Sequence, residues 1–467
     1  MTPDEHRSVD RDRRCLAVVL AAGEGTRMRS RRPKVLHEIA GRSLLAHVLA
    51  GLSDAGATKI AVVVGPEHDE VAAEARRIAP EAAFFVQAER RGTAHAVLAA
   101  RAAIAEGFDD ILVAFADTPL VQAQTFARLR ERLAGAGEPA VVALGFEASE
   151  PTGYGRLIFD RGELVAIREQ KDLAPGEQVL SFCNAGLMAL AGRHCLGLLS
   201  SIGDANAQRE YYLTDAVAAA RARGLGVASV AAPQHEVIGV NDRIQLAAAE
   251  ALMQRRLGEA AMRGGVTFLD AQSVHLSFDT EFGCDVTIEP NVFFGPRVKV
   301  AEGARIRAFS HLEGATVGPH AIIGPFARLR PGAVLDEEVH VGNFVEVKAS
   351  HLGAGVKANH LAYLGDSRIG PRTNIGAGVI TCNYNGFEKF PTVIGEGAFV
   401  GVNAALVAPV TIGDGAYIGT GSVITQDVAR DALALARARQ VEKPGWAHRF
   451  RGAHQDKARG KTQNDKK

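Results

Sequence analysis

Apolar residues recur every sixth position through the C-terminal half of this chain. One frame runs Ile288, Phe294, Val300, Ile306 and Leu312; a five-residue step resets it to Val317, Ile323, Leu329, Leu335, Val341 and Val347. After a less regular stretch the beat returns at Ile394, Val400, Leu406, Ile412, Ile418 and Ile424. A period of six matches neither an amphipathic helix, at 3.6, nor a half-buried strand, at 2. It is the signature of a parallel β-helix, in which three short strands make one triangular coil and each beat residue fills the inner face of a strand. Such coils bury their apolar stripe only by stacking, and this chain carries far more repeats than the roughly three that stability needs. An array of independent turns would not keep the beat over so many repeats.

With 467 residues the chain can form two or more domains, each with its own core. Its 53 basic and 53 acidic residues balance, so no overall field draws it to nucleic acid or a membrane surface. Cys15, Cys183, Cys195, Cys284 and Cys382 are scattered, odd in number and without C-x-x-C spacing. They read as reduced thiols, not as a disulfide frame or a zinc site. The charged start of the chain has no apolar h-region and no stretch reaches membrane-span length, so a cytoplasmic location is expected. From Cys15 to Val240, short apolar runs (LAVVLAAG, IAVVVG, ILVAFAD, AVVALGF) alternate with Ala-rich helical stretches. That alternation predicts an α/β doubly wound, mostly parallel sheet over 15–241. A helical pattern over 242–263 is the expected linker to a β-helix over 264–450. Residues 1–14 are expected to form a flexible extension, and the polar, basic stretch 451–467 a disordered tail.

The first chemical motif ends the first strand: Leu20, Ala21, Ala22, Gly23, then Gly25, Thr26, Arg27 and Met28, followed by Pro33-Lys34. Glycines there let backbone N–H groups approach phosphate oxygens, and Arg27 and Lys34 supply cations. Met28 stands where the third Gly of G-x-G-x-x-G belongs, and no Gly-Lys-Ser/Thr follows, which excludes the dinucleotide fingerprint and the P-loop. An ordinary strand-to-helix turn would explain the glycines but not the Arg and the Pro-Lys together. Asp117 closes the apolar run ILVAFA and therefore sits at the carboxyl end of a strand, where open α/β sheets bind ligands.

The L-A-A-G-x-G-T-R-M string with P-K after it resembles the sugar-nucleotide pyrophosphorylases. Gln87, Gly92-Thr93, Asp117, Tyr154-Gly155-Arg156, Glu169, Asn184-Ala-Gly186 and Gly239-Val240-Asn241 narrow the likeness. With the hexapeptide half, the chain resembles from Leu16 to Trp446 the bacterial bifunctional family that joins N-acetylglucosamine-1-phosphate uridylyltransferase to glucosamine-1-phosphate acetyltransferase. The resemblance implies that Leu20, Ala21, Ala22, Gly23, Arg27 and Lys34 bind nucleotide and phosphates. It gives uracil reading to Gln87, Gly92 and Thr93, the sugar to Gly155, Glu169 and Asn184, and Mg²⁺ to Asp117 and Asn241. Two protein oxygens suffice for Mg²⁺, which keeps several waters and is also held by substrate phosphates. Ala116 replaces the family's usual Gly beside Asp117 and is expected to crowd the nucleotide slightly.

In the hexapeptide half, the resemblance makes that fold a left-handed β-helix and assigns Arg330, Lys348, Tyr363 and Asn374 to the sugar phosphate. His360 becomes the general base, and Ala377, Asn383, Tyr384, Val402, Thr420 and Arg437 serve acetyl-CoA. Val402 and Thr420 stand where Ser and Ala are expected. Histidine suits a base that deprotonates glucosamine near neutral pH, and Glu346 is the expected orienting carboxylate. The resemblance also implies a homotrimer and the substrates glucosamine 1-phosphate, N-acetylglucosamine 1-phosphate, UTP and acetyl-CoA. A β-helix serving only as an assembly or regulatory module, or a binding scaffold without turnover, would have no use for a base beside two phosphate-grade cations.

Overall fold

A computed structural model of the chain describes residues 13–66 and 69–464. The chain divides into two compact units: one takes in the residues up to Gly264 with Asp270–Thr280 and Phe294–Arg297, the other most of the remainder.

The first unit is built on one nine-stranded sheet. Its strands are β1 (Cys15–Ala21), β2 (Lys59–Val64), β3 (Ala83–Val86), β4 (Asp110–Phe115), β5 (Val141–Glu147), β6 (Arg156–Asp160), β7 (Glu163–Arg168), β8 (Phe182–Ala191) and β9 (Val227–Ala231). The main order is β9-β5-β8-β4-β1-β2-β3, with β6 and β7 branching from β8. Strand β1 runs parallel to β2 and β4, whereas β8 lies antiparallel to both β4 and β5. The apolar runs are buried on both faces because helices cover both. Cys15, Ala17 and Val19 pack with Leu45, Leu49, Phe126 and Leu129, while Leu16, Val18 and Leu20 pack with Val97, Leu198 and Val217. The sheet is therefore mixed, as the apolar runs could not reveal: a strand buried on both faces reads alike in either direction.

The expected linker helix spans Arg243–Arg263, capped by the Asp242 side chain, which accepts from Gln245 N at 2.8 Å. Ala249 and Met253 pack against Ile39, Leu44, Leu120 and Val240, so the helix belongs to the first unit and is not a free-standing connector. Residues 1–12 of the expected extension lie outside the described residues. Arg13 and Arg14 are held: Arg13 pairs with the fully buried Asp110, and Arg14 N donates to Asp109 Oδ2 at 2.8 Å.

The second unit is a β-helix of three parallel sheets with ten, eight and eight strands. Every beat residue is buried, none more than 4 % exposed. Ile288 pairs with Ile306, giving an eighteen-residue coil, and the five-residue step shortens the next to seventeen, where Val300 pairs with Val317. The irregular stretch is a single excursion. Ile375 pairs with Val400, twenty-five residues on, because the chain leaves the coil after Ile380–Cys382 and re-enters at Thr392–Ile394. The C-terminal segment Trp446–Asn464 is an α-helix, which takes in most of the stretch 451–467 where the composition predicts disorder. Trp446, Phe450 and His454 stack at i,i+4 spacing along it, a local contact that a composition count misses.

Leu329 is fully buried and in register with Leu312 and Val347. Leu329→Ala should therefore cost about 2–5 kcal/mol in chemical denaturation of the full chain, as for other cavity-forming core truncations. A cost below about 1 kcal/mol would mean that the coil interior closes freely around the gap.

Candidate functional site

At the carboxyl ends of β1 and β4 lies a cavity of about 230 Å³ lined by Leu20, Ala21, Ala22, Gly23, Lys34, Gln87, Gly92, Thr93 and Asp117. The buried Gln87 is oriented by Nε2, which donates to Gly92 O at 3.2 Å. Thr93 Oγ1 accepts from Leu213 N at 2.8 Å, which leaves its own O–H to donate. Gly92 has φ +107°, and a Cβ there would stand 2.6 Å from Tyr211 O, so no other residue fits without moving that backbone. Arg27 lies exposed on the short turn Thr26–Met28 and does not line this cavity. Arg90, which sequence reasoning missed, does: its Nε donates to Ala22 O at 3.0 Å and it pairs with Glu24, tying down the glycine loop. Its only sequence signal is its place two residues before Gly92. The Ala116 methyl points elsewhere than expected. It is fully buried in the core on one face of the sheet and takes no part in lining the cavity.

Asp117 and Asn241 come together although 124 positions apart, because Val240 N donates to Asp117 O at 2.8 Å. Asn241 N donates to Gln245 Oε1 at 2.7 Å, fixing the amide at the start of the long helix. Lys34 Nζ sits between them, paired with Asp117 and 3.1 Å from Asn241 Oδ1. A carboxylate and an amide oxygen converging on one cationic position form a donor set that fits a hard divalent ion completed by water and phosphate.

Gly155, Glu169 and Asn184 form a second group in the same unit. Asn184 N donates to Gly155 O at 2.8 Å, and Glu169 Oε1 accepts from Thr214 Oγ1 at 3.2 Å. Burial pushes the Glu169 carboxyl above its usual range, with the Thr214 hydrogen bond opposing. A desolvated carboxylate is a strong acceptor for sugar hydroxyls.

In the β-helix, parallel register turns sequence spacing into columns. Arg330 and Lys348 follow the register pair Leu329↔Val347, and Lys348 pairs with Gly365 on the next coil. Tyr363 Oη and Asn383 Nδ2 close over Gly365, where a Cβ would stand 2.8 Å from the amide nitrogen. His360 pairs with Asn343, and Ala377, Val402 and Thr420 each lie two residues beyond the register line Ala358↔Ile375↔Val400↔Ile418. Asn374 pairs with Lys357 in that same sheet. Arg437 is exposed three residues after the last strand, Leu433–Ala434.

The expected orienting carboxylate is corrected. Glu346 is engaged by Arg330 at 2.8 Å and Arg328 at 3.7 Å, whereas His360 Nδ1 is 2.8 Å from Asn343 Oδ1. With Nδ1–H donating to that amide, Nε2 keeps the lone pair a base requires. Lys389, on the excursion 383–391, was not found from sequence. The Lys348 ammonium pushes the Lys389 pKa below the usual lysine value.

Residues 17–181 match the MobA-like NTP transferase domain family, and residues 391–426 the bacterial transferase hexapeptide repeats. Over 442 residues the chain is 58% identical to Bifunctional protein GlmU of Azorhizobium caulinodans, covering 95% of this chain and 98% of the relative. It is 60% identical over 443 residues to that of Xanthobacter autotrophicus, with the same coverage, and 50% over 439 residues to that of Bartonella quintana, covering 94% and 98%. The chain belongs to the GlmU family. Its two matched families fall one on each unit, so the likeness covers both the α/β unit and the β-helix. No helix among the described residues is long and apolar enough to cross a membrane.

Because burial raises the Glu169 pKa, its charged form weakens the fold above that pKa, and protonation removes the penalty below the unfolded value. Glu169→Gln should therefore raise the melting temperature at pH 7, with the gain shrinking as pH falls through the carboxyl titration. A gain that grew on acidification would contradict this.

Proposed function

We propose that this GlmU-family enzyme acetylates glucosamine 1-phosphate with acetyl-CoA on the β-helix. Its α/β unit then transfers UMP from UTP to N-acetylglucosamine 1-phosphate, giving UDP-N-acetylglucosamine and pyrophosphate. The observation that carries the reading is that two sites with different chemistry, a cation-flanked nucleotide cavity and an oriented histidine among phosphate-binding cations, are assembled on separate units.

In uridylyl transfer, an oxygen of the sugar phosphate attacks the α-phosphorus of UTP and pyrophosphate leaves. Gln87, Gly92 and Thr93 hold uracil, and Gly155, Glu169 and Asn184 fix the sugar. Leu20 to Gly23 offer backbone donors to the phosphates, with Lys34 as the cation that lines the cavity, so catalysis is positioning plus charge stabilisation. Mg²⁺ held by Asp117 and Asn241 would neutralise phosphate charge as the P–O bond breaks.

In acetyl transfer, Arg330, Lys348, Tyr363 and Asn374 hold the sugar phosphate, with Lys389 nearby as a further cation. His360 Nε2 takes a proton from the glucosamine ammonium. The freed amine attacks the thioester carbonyl, and CoA leaves as its thiol after proton return. Ala377, Asn383, Tyr384, Val402, Thr420 and Arg437 line the path for acetyl-CoA.

The working unit is a homotrimer with acetyl sites at subunit boundaries. Support comes from a ladder of stacked, exposed aromatics, Phe309, Phe326 and Phe344, beside the His360 column; such contiguous apolar surface marks an interface. Replacing Phe326 and Phe344 together with Asp should yield monomers by light scattering and abolish acetyl transfer while sparing uridylyl transfer. A monomeric variant with full acetyltransferase activity would contradict the shared site.

The two chemistries should separate by mutation. His360→Ala should lower acetyl transfer by about 10²–10⁴-fold, the usual contribution of a general base, and leave uridylyl transfer intact. Asp117→Ala should do the reverse, as should chelation by EDTA. Equal loss of both activities in a folded variant would refute the division.

A further inference from the structure

We infer that the Lys34 ammonium is the resting occupant of the cation position between Asp117 and Asn241. A divalent ion then enters only with a polyphosphate that draws the lysine away. This rests on the reading of Asp117 and Asn241 as the Mg²⁺ ligands. One nitrogen engages both oxygens that reading requires: Lys34 Nζ pairs with Asp117 Oδ2 and donates to Asn241 Oδ1 at 3.1 Å. The backbones that carry these two oxygens are held in place, because Val240 N donates to Asp117 O and Asn241 N donates to Gln245 Oε1. The lysine, on its flexible four-carbon stem, is the partner free to move.

The pair is also poorly screened. The Lys34 side chain is 11% exposed and that of Asp117 19%, so salt and water weaken their attraction less than at an open surface. A free hydrated ion approaching Asp117 must displace the ammonium with no compensating partner for it, and two cations cannot share the carboxylate at close range. A triphosphate changes the balance. Lys34 lines the same cavity as Gly23 and Ala22, so phosphate oxygens arriving there give the ammonium a second anionic partner. The vacated oxygens then receive the ion bound to those phosphates. A lysine serving only as a phosphate ligand would have no need to engage both the Asp117 and the Asn241 side-chain oxygens.

The test is Mn²⁺ binding to the full-length chain without nucleotide, followed by electron paramagnetic resonance. Lys34→Met and Lys34→Gln should each bind Mn²⁺ at least about tenfold more tightly than the unaltered chain, since a competing charge at contact distance is gone. Adding Asp117→Ala to Lys34→Met should abolish that gain. If Mn²⁺ still bound tightly in the double variant, the Asp117 and Asn241 assignment itself would fail. If both single variants bound Mn²⁺ no better than the unaltered chain, the assignment could stand and the resting-occupant role would be overturned. A second measurement leaves Lys34 in place: Asp117→Asn should make Lys34 react faster with an amine-directed reagent, read by mass spectrometry. An unchanged rate would overturn the inference.

Discussion

A parallel ladder fixes which residues stand side by side, and both sites depend on that register. In the β-helix each coil repeats the one below, so residues seventeen or eighteen positions apart share a column. His360 meets Asn343, and Lys348 stands above Arg330, because backbone hydrogen bonds allow no slip without turning every beat residue outward. In the α/β unit the same parallel pairing puts the ends of β1 and β4 together, so that the glycine loop and Asp117 open on one cavity.

Upon that scaffold the resting electrostatics follow a common pattern. Cations suited to phosphate are held by carboxylates: Lys34 by Asp117, Arg90 by Glu24, Arg330 by Glu346. Such pairing keeps the side chains in place before substrate arrives, and an anionic substrate exchanges one partner for another without exposing a bare charge. Lys348 and Lys389 are the exception, since the Lys348 ammonium lowers the Lys389 pKa.

The β-helix was legible because its inward residues are a strict one-in-six pattern, with every beat residue buried. The glycine loop, Lys34 and Asp117 were legible because their chemistry is compressed into short strings. What remained hidden is what depends on partners distant in sequence or on the direction of a strand. Strand β8 has the same apolar content whichever way it runs. Glu346 looked free to orient His360 because nothing in the sequence shows Arg328 and Arg330 reaching it across a coil. Asn343, seventeen residues before His360, becomes its partner only once the coil length is known. Ala116 is next to Asp117 in sequence, yet its methyl packs in the same core cluster as Ala114, away from the cavity. The helix from Trp446 is hidden for a different reason: average composition does not register a local aromatic stack.

The central claim is that one chain performs two consecutive group transfers at separate sites. Its most direct test supplies the full chain with glucosamine 1-phosphate, acetyl-CoA, UTP and Mg²⁺ and quantifies every product. The account predicts UDP-N-acetylglucosamine and pyrophosphate in equal amounts, with free CoA formed at least as fast as the nucleotide sugar. UDP-glucosamine as the main product, or nucleotide transfer with no release of CoA, would contradict it.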